Sequence, residues 1–343
     1  MKQDYLWDGS GEPDPEVQKL EEVLGRLRHR SPVPVFPELT RPASRWFPRS
    51  LAPRWAFAAA ALVVAVAGIM LLRDETRVIP SEWNVTRAEG SAQVGGQSII
   101  GEQTGNLGVG QVVETGAASK ASIRAEETGE IELEPRTRLH LVRSINGVQR
   151  LALERGTIHA TIWAEPGKFV VDTPSAVAVD LGCVYTLHVD DSGDGLLRTT
   201  VGWVGFKLAG REAFIPAGAA CPTRKNTGPG IPYFEDASTA FRDALAQLDG
   251  SAISDQERAA ALRVVLSESR QRDALSLWHL LARVPAADRG AVYNRLAQLV
   301  SPDAAVTREG ILKLDPAMLD LWWNELGLGD VSLWRHWERG WKF

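Results

Sequence analysis

Cysteine is scarce in this 343-residue chain, and its scarcity excludes several kinds of site. Cys183 and Cys221 are the two cysteines, and they form no C-x-x-C pair, which excludes zinc ribbons and thioredoxin-like motifs. An excess of basic charge is also missing, because the formal net charge is −5. Nucleic acid is therefore not an expected partner, since nucleic-acid binding normally requires a basic face. G-x-S-x-G, Walker A, H-E-x-x-H and dinucleotide-binding motifs are absent too. We therefore predict no enzymatic activity and no cofactor or metal.

Charge is completely absent from one long stretch. Residues Trp55 to Leu72 read WAFAAAALVVAVAGIMLL between Arg54 and Arg73. As a helix this run reaches about 27 Å, close to the hydrocarbon thickness of a bilayer. A buried alanine-rich helix and a signal peptide are the alternatives, but more than fifty residues precede the run, too many for a signal peptide. We predict one transmembrane helix at residues 55–72.

Arginine distribution around this run predicts the orientation of the chain. The preceding flank carries four arginines with little acid nearby, whereas acidic residues alternate with arginine after the run. The four are Arg41, Arg45, Arg49 and Arg54. The positive-inside rule then places the N-terminus in the cytoplasm and the region after Leu72 outside.

A short arm, residues 1–54, precedes the predicted span. Asp14 and Pro15 are typical helix-start residues, and an apolar stripe follows at helical spacing. The stripe comprises Val17, Leu20, Val23, Leu24 and Leu27. One helix of this size cannot bury its own stripe, so we predict that the stripe binds a partner protein. An interfacial membrane helix is the alternative, although acidic residues on the polar face disfavour it. Six prolines between residues 32 and 53 indicate an extended linker.

Residues 82–225 have the pattern of an all-β domain, a sandwich or a solenoid. Short alternating runs are separated by glycine and polar residues, which indicates an antiparallel-rich sheet. Asn146-Gly147 is a strong hairpin signal. The DDSGDG segment at residues 190–195 resembles the start of a calcium loop, but Val201 stands where an EF-hand needs glutamate, so we predict a hairpin turn.

The stretch VAVDLGCVYTLHVDD, residues 177–191, alternates apolar and polar side chains. This period predicts a half-buried strand with Cys183 pointing inward and Asp180 on the polar face. Gly182 lies in the middle of the stretch and predicts a bend or bulge there. A catalytic thiol is disfavoured, because the histidines of this region are predicted to lie on separate strands and Cys183 is in the buried phase.

Residues 226–343 change to a helical period. Ser254 with Glu257 forms a capping-box pattern, and Asp315-Pro316 is a second helix start. Short connections favour antiparallel helical hairpins. Near the C-terminus, Trp334, Trp337 and Trp341 share one face of a predicted helix. The face either seals the helical core, binds an envelope protein partner or contacts the membrane.

The order of several β-region motifs resembles the FecR-type periplasmic domain of transmembrane signal-transducing regulators. The resemblance covers roughly residues 85–206 and includes Thr115-Gly116, Gly156, the FVVDTP run at residues 169–174 and Gly202-x-Val204. It implies a single-pass bacterial inner-membrane protein whose periplasmic β domain receives a signal. It also implies that the cytoplasmic arm binds an extracytoplasmic-function sigma factor or a comparable regulator. The chain departs from the family pattern at Gly182-Cys183, and its arm is shorter than the usual anti-sigma domain.

The predicted organisation thus describes a multidomain membrane protein. A cytoplasmic arm spans residues 1–54, a transmembrane helix 55–72, a juxtamembrane linker 73–81, a FecR-like β domain 82–225 and a helical domain 226–343. An exported β domain folds where disulfides form, so Cys183 and Cys221 either pair or simply pack in the core. A membrane-anchored envelope scaffold, without sigma-factor control, is the alternative function.

Overall fold

The alternating runs of the sequence form two β-sheets in the computed structural model. The structure describes residues 83–99, 104–208, 210–250, 253–332 and 335. The strands are β1 Trp83–Glu89, β2 Ala92–Val94, β3 Gln97–Ile99, β4 Thr104–Leu107, β5 Val112–Thr115, β6 Lys120–Ala125, β7 Gly129–Leu133, β8 Arg138–Ile145, β9 Val148–Ile162, β10 Phe169–Asp172, β11 Val177–Asp180, β12 Val184–Val189, β13 Gly195–Val201, β14 Trp203–Leu208, β15 Arg211–Pro216, β16 Ala219–Arg224, β17 Gly228–Pro229 and β18 Tyr233–Phe234.

The first sheet runs in the order β4, β1, β6, β7, β9, β12, β13 and β16, with β17 and β18 both paired to β16. The second runs in the order β3, β2, β5, β8, β9, β10, β11, β14 and β15. The β9–β10 ladder is parallel and the other ladders are antiparallel.

Strand β9 belongs to both sheets. Its first half pairs with β8 and β10, and its second half pairs with β7 and β12. The two halves meet at Gly156, whose φ is +97°. A side chain there would overlap the backbone of Thr137, so this crossing requires glycine.

A single apolar core lies between the two sheets. Ile123 and Ile131 from the first sheet share it with Leu139 and Leu151 from the second, and all four side chains are almost fully buried. At one point Trp83 of the first sheet lies 6.2 Å from Phe169 of the second, measured between ring centroids. The β region is therefore a sandwich, one of the two architectures predicted from the sequence.

The predicted hairpin signals are confirmed. Asn146 and Gly147 both have positive φ and join β8 to β9. The 190–195 segment joins β12 to β13, where Asp190 Oδ1 accepts hydrogen bonds from the Ser192 and Asp194 amides. The turn predicted in place of a calcium loop is therefore present.

Helices follow the sandwich. They are α1 Thr239–Leu248, α2 Asp255–Glu268, α3 Ala274–Leu281, α4 Ala286–Leu299, α5 Arg308–Leu312 and α6 Pro316–Glu325, with a 3₁₀ turn at Gln271–Asp273. The Ser254–Glu257 capping box forms as predicted, and the Asp315 side chain caps α6 with Pro316 in its first turn. The β structure extends to Phe234, beyond the predicted boundary at residue 225. Sheets and helices belong to one compact unit.

The predicted membrane span at 55–72 and the predicted arm at 1–54 lie outside the described residues. Among the residues that the structure does describe, no helix combines the length and apolar character needed to cross a bilayer.

Candidate functional site

Strand β15 forms an edge of the second sheet, and helix α3 covers that edge. The backbone amide of Phe214 donates a hydrogen bond to His279 Nε2 across 3.1 Å. His279 Nδ1 lies 2.9 Å from the carbonyl oxygen of Leu275. Because Nε2 accepts, Nδ1 carries the proton and the ring is neutral. Burial lowers the pKa of His279 to about 3, so the ring stays neutral at physiological pH. This contact protects an edge amide that would otherwise be open to pairing.

Aromatic side chains also pack between the second sheet and the helices. Phe214 lies 5.6 Å from Trp203 and 5.5 Å from Trp323, and Trp323 lies 4.9 Å from Trp278, measured between ring centroids. These are edge-to-face pairs, the geometry that aromatic quadrupoles favour. Trp323 is fully buried, and its Nε1 donates to the Gly329 carbonyl. We call Trp203, Phe214, Trp278, His279 and Trp323 the junction cluster. It extends the sandwich core into the helices, which also have a core cluster of their own.

The turn between β11 and β12 contains a buried carboxyl–thiol pair. Asp180 Oδ2 accepts from the Cys183 thiol at 2.5 Å, and Asp180 Oδ1 accepts from the Gly182 amide at 2.6 Å. Burial raises the pKa of Asp180 to about 7 and also raises the pKa of the Cys183 thiol. The thiol is thus held protonated, which is the opposite of what a nucleophile needs.

The predicted bend at Gly182 is present, but the predicted position of Asp180 on the polar face is wrong. Asp180 is only 2 % exposed. The chain leaves the second sheet after β11 and enters the first sheet at β12. The alternation of inward-facing and outward-facing side chains therefore starts anew after Gly182. Cys183 points inward, as the sequence predicts.

The predicted alternative of a Cys183–Cys221 disulfide is not realised in the structure. Both residues are buried free thiols. Cys221 faces Leu197, which in turn faces Leu187 on β12. Two strand spacings, about 10 Å, and a four-residue offset, about 13 Å, therefore separate the cysteines. A disulfide needs Cα atoms within about 7 Å. Core packing, the other alternative, describes both side chains.

The remaining chemistry-bearing side chains of the sandwich do not converge. His140, His159 and His188 lie on β8, β9 and β12, and each contacts a Glu or Thr partner. Within the described ranges, no group of three or more His, Cys, Asp or Glu residues has the arrangement of a metal site.

Two sets of sequence-predicted binding residues lie outside the described residues. They are the arm stripe of Val17, Leu20, Val23, Leu24 and Leu27, and the tryptophans Trp334, Trp337 and Trp341. Sequence reasoning missed the junction cluster and Asp180. One signal was available for the junction, because His279 is the only histidine in the largely apolar ALSLWHLL helix.

Comparison with known proteins identifies part of the sandwich. Residues 111–201 match the family model of the FecR protein. This segment is similar to a FecR domain, and we refer to it as the FecR domain. The match confirms the resemblance seen in the sequence, over a narrower range than residues 85–206. The FecR domain begins beside β5 and ends with β13, so it contains the Gly156 crossing and the Asp180–Cys183 turn.

The chain is also similar to two crystal structures from Parabacteroides distasonis, each titled as a "putative anti-sigma factor". In both cases the identity is 13 %, the TM-score is 0.33, and the match covers 40 % of this chain. The match spans 64 % of each of those chains. No curated protein matches the sequence.

Proposed function

We propose that the chain is a single-pass signal-transduction regulator of the bacterial inner membrane, with its FecR domain in the periplasm and its N-terminal arm in the cytoplasm. The observation that carries this proposal is the FecR match at residues 111–201. It is supported by the order of the sequence features, since the charge-free run Trp55–Leu72 separates an arginine-flanked arm from the FecR domain.

The arm supplies the cytoplasmic contact in this proposal. Its stripe of Val17, Leu20, Val23, Leu24 and Leu27 would bury against a sigma factor or a comparable regulator, as an amphipathic helix buries in a groove. The resemblance to transmembrane regulators is the reason for naming a sigma factor. In this proposal, the one predicted helix of the arm provides the contact.

The junction cluster supports a role for the helices in signalling. Trp203 and Phe214 come after the FecR domain in the chain, and Phe214 packs between Trp203 and Trp323. Trp323 in turn packs on Trp278 of the helices. A partner that displaces the helical region would therefore disturb β15 and its neighbour β14, which pairs with β11 of the FecR domain. Through this packing, an envelope protein partner that binds the helices would alter the FecR domain.

A stripe variant tests the cytoplasmic half of the proposal. Leu20→Asp places a charge on the apolar stripe, and we expect it to abolish co-purification of the full chain with a sigma factor identified by mass spectrometry. Transcription from promoters of that sigma factor should change in the same strain. Lys19→Asp, which alters a neighbouring polar position, serves as the matched control and should leave both readouts near the wild-type level.

The alternative function predicts a different result. An envelope scaffold without sigma-factor control would keep its envelope contacts, would not co-purify with a sigma factor, and would show no transcriptional response to Leu20→Asp. That combination would contradict the regulator proposal.

A further inference from the structure

The Asp180–Cys183 turn holds a buried carboxyl group that has no cationic partner. The carboxyl oxygens of Asp180 accept from the Gly182 amide and the Cys183 thiol, and both donors are neutral. Among the residues that the structure describes, no lysine, arginine or histidine interacts with this carboxyl group. Burying an ionised carboxylate without such a partner is costly, so the folded turn favours the protonated form.

The neighbouring strands supply no positive charge to this carboxyl group. From β12 it is faced by Cys183 and by the fully buried phenol of Tyr185, whose pKa is raised by burial and then by Asp180. On β14, Val204 is its partner in the ladder, and the preceding residue is Trp203. Neither of these two side chains carries a charge.

The segment before β10 also contacts Asp180, through the backbone. The Gly167 amide donates to the Asp180 carbonyl oxygen at 2.7 Å. The charged residues beside Gly167 pair with each other, since Lys168 Nζ lies 2.6 Å from a carboxylate oxygen of Glu165. The carboxyl group of Asp180 therefore depends on the amide and the thiol of its own turn.

The tip of this turn lies at the surface. Gly182 is exposed, and the space around its Cα is open. Proteins open locally at such positions at a lower free-energy cost than that of global unfolding. Local opening of the turn would hydrate the carboxylate while the rest of the sandwich stays folded.

The turn also touches the segment that leads to the helices. The Leu181 amide donates to the Trp203 carbonyl at 3.2 Å, and a side chain at Gly202 would overlap the Gly182 carbonyl. The Trp203 ring lies so close to Gly329, in the loop after α6, that a side chain at Gly329 would overlap it. The turn is thus connected to the helical region through Trp203.

We propose that the Asp180–Cys183 turn is a pH-sensitive latch between the FecR domain and the helices, closed while Asp180 is protonated and opened locally when its carboxyl group ionises. Opening exposes Cys183 and loosens Trp203 from the loop that contains Gly329. The latch is independent of the regulator proposal, because it makes no claim about the arm or about transcription.

The direction of the pH dependence follows from proton linkage. In the closed turn, burial raises the pKa of Asp180 from 3.8 to about 7, whereas an opened and hydrated carboxyl group has the ordinary value. The equilibrium constant for opening therefore rises with pH between these two values, by up to about tenfold per pH unit, and levels off above the higher one. The latch is tightest at acidic pH.

Thiol labelling of the purified full chain tests the latch, with N-ethylmaleimide as the probe and mass spectrometry to separate Cys183 from Cys221. Each rate is divided by the rate in the urea-unfolded chain at the same pH, which removes the intrinsic rise of thiolate with pH. We expect the normalised rate at Cys183 to rise by about tenfold or more between pH 5 and pH 7. Cys221 is the internal control and should change much less, because its acidic neighbour Asp249 has an arginine partner, Arg211.

Asp180→Asn keeps an oxygen that accepts hydrogen bonds but cannot ionise, so its normalised rate at Cys183 should not depend on pH. Hydrogen exchange of a peptide containing Gly329, corrected for the intrinsic effect of pH, should rise over the same interval in the wild type and not in the variant.

If circular dichroism shows that Asp180→Asn is unfolded, the wild-type comparison of Cys183 with Cys221 and the exchange at Gly329 decide the matter. A normalised rate at Cys183 that does not change with pH, or an equal rise at Cys221, would overturn the proposal. Exchange at Gly329 that is independent of pH would also overturn it, since the turn would then not act on the helices.

Discussion

At the scale of single residues, Asp180 lies in an unusual environment for a carboxyl group. Its carboxyl group is buried, is held by the Gly182 amide and the Cys183 thiol, and has a pKa raised by burial to about 7. The unfolded chain has the ordinary value near 3.8. The folded protein therefore binds more protons than the unfolded chain between these two values, so the contribution of Asp180 to stability falls as pH rises through this window.

Asp180→Asn should remove this pH dependence. Relative to the wild type, we expect the free energy of unfolding of the variant to rise by on the order of 3 kcal/mol between pH 4 and pH 7, and to level off above pH 7. Urea unfolding at several pH values measures the difference. Asp191→Asn, at an exposed position in the following turn, is the control. A constant difference between Asp180→Asn and wild type across this range would show that the carboxyl group does not titrate as described.

At the scale of secondary-structure elements, glycine decides where the chain changes sheets. Gly156 and Gly182 both have positive φ, at +97° and +85°. A Cβ at Gly156 would overlap Thr137, whereas the space around Gly182 is open. An alanine at Gly182 therefore adds backbone strain alone, whereas an alanine at Gly156 adds both backbone strain and steric overlap.

Gly156→Ala should destabilise the protein by about 3 kcal/mol or more, because strain and overlap act together. Gly182→Ala should cost about 1 kcal/mol, because only the conformational penalty applies. Chemical denaturation of the two variants side by side provides the measurement. Equal losses would mean that the Gly156 crossing is not as tightly packed as the structure describes.

Local signals in the sequence predicted local structure well. Asn146-Gly147 predicted its hairpin, because both residues tolerate positive φ. Ser254 and Glu257 predicted their capping box, because both partners lie within one helical turn. The burial of Asp180 and the Phe214–His279 contact could not be predicted in this way. The first depends on a change of sheet, and the second joins residues 65 positions apart in the chain.

At the scale of the whole molecule, the junction cluster joins the sandwich to the helices. Trp323 is fully buried, belongs to the sandwich core cluster and contacts Phe214 on the edge strand. Its neighbour Trp322 belongs instead to the core of the helices. Sandwich and helices should therefore unfold together rather than as separate domains.

Trp323→Ala tests this cooperativity. We expect a loss of about 3–5 kcal/mol in a single unfolding transition, because the cavity affects sandwich and helices alike. Trp163→Ala, at a position that is 46 % exposed, should cost about 1 kcal/mol or less. Differential scanning calorimetry distinguishes the outcomes. Two transitions, of which Trp323→Ala shifts only one, would show that the helices fold independently.

The central claim about the whole molecule is that a membrane separates the arm from the FecR domain. Reporters fused before Met1 and after Phe343 test it most directly, using alkaline phosphatase, which is active outside the cytoplasm, and green fluorescent protein, which fluoresces inside it. The account predicts phosphatase activity at the C-terminus and fluorescence at the N-terminus. Fluorescence with no phosphatase activity after Phe343 would contradict it.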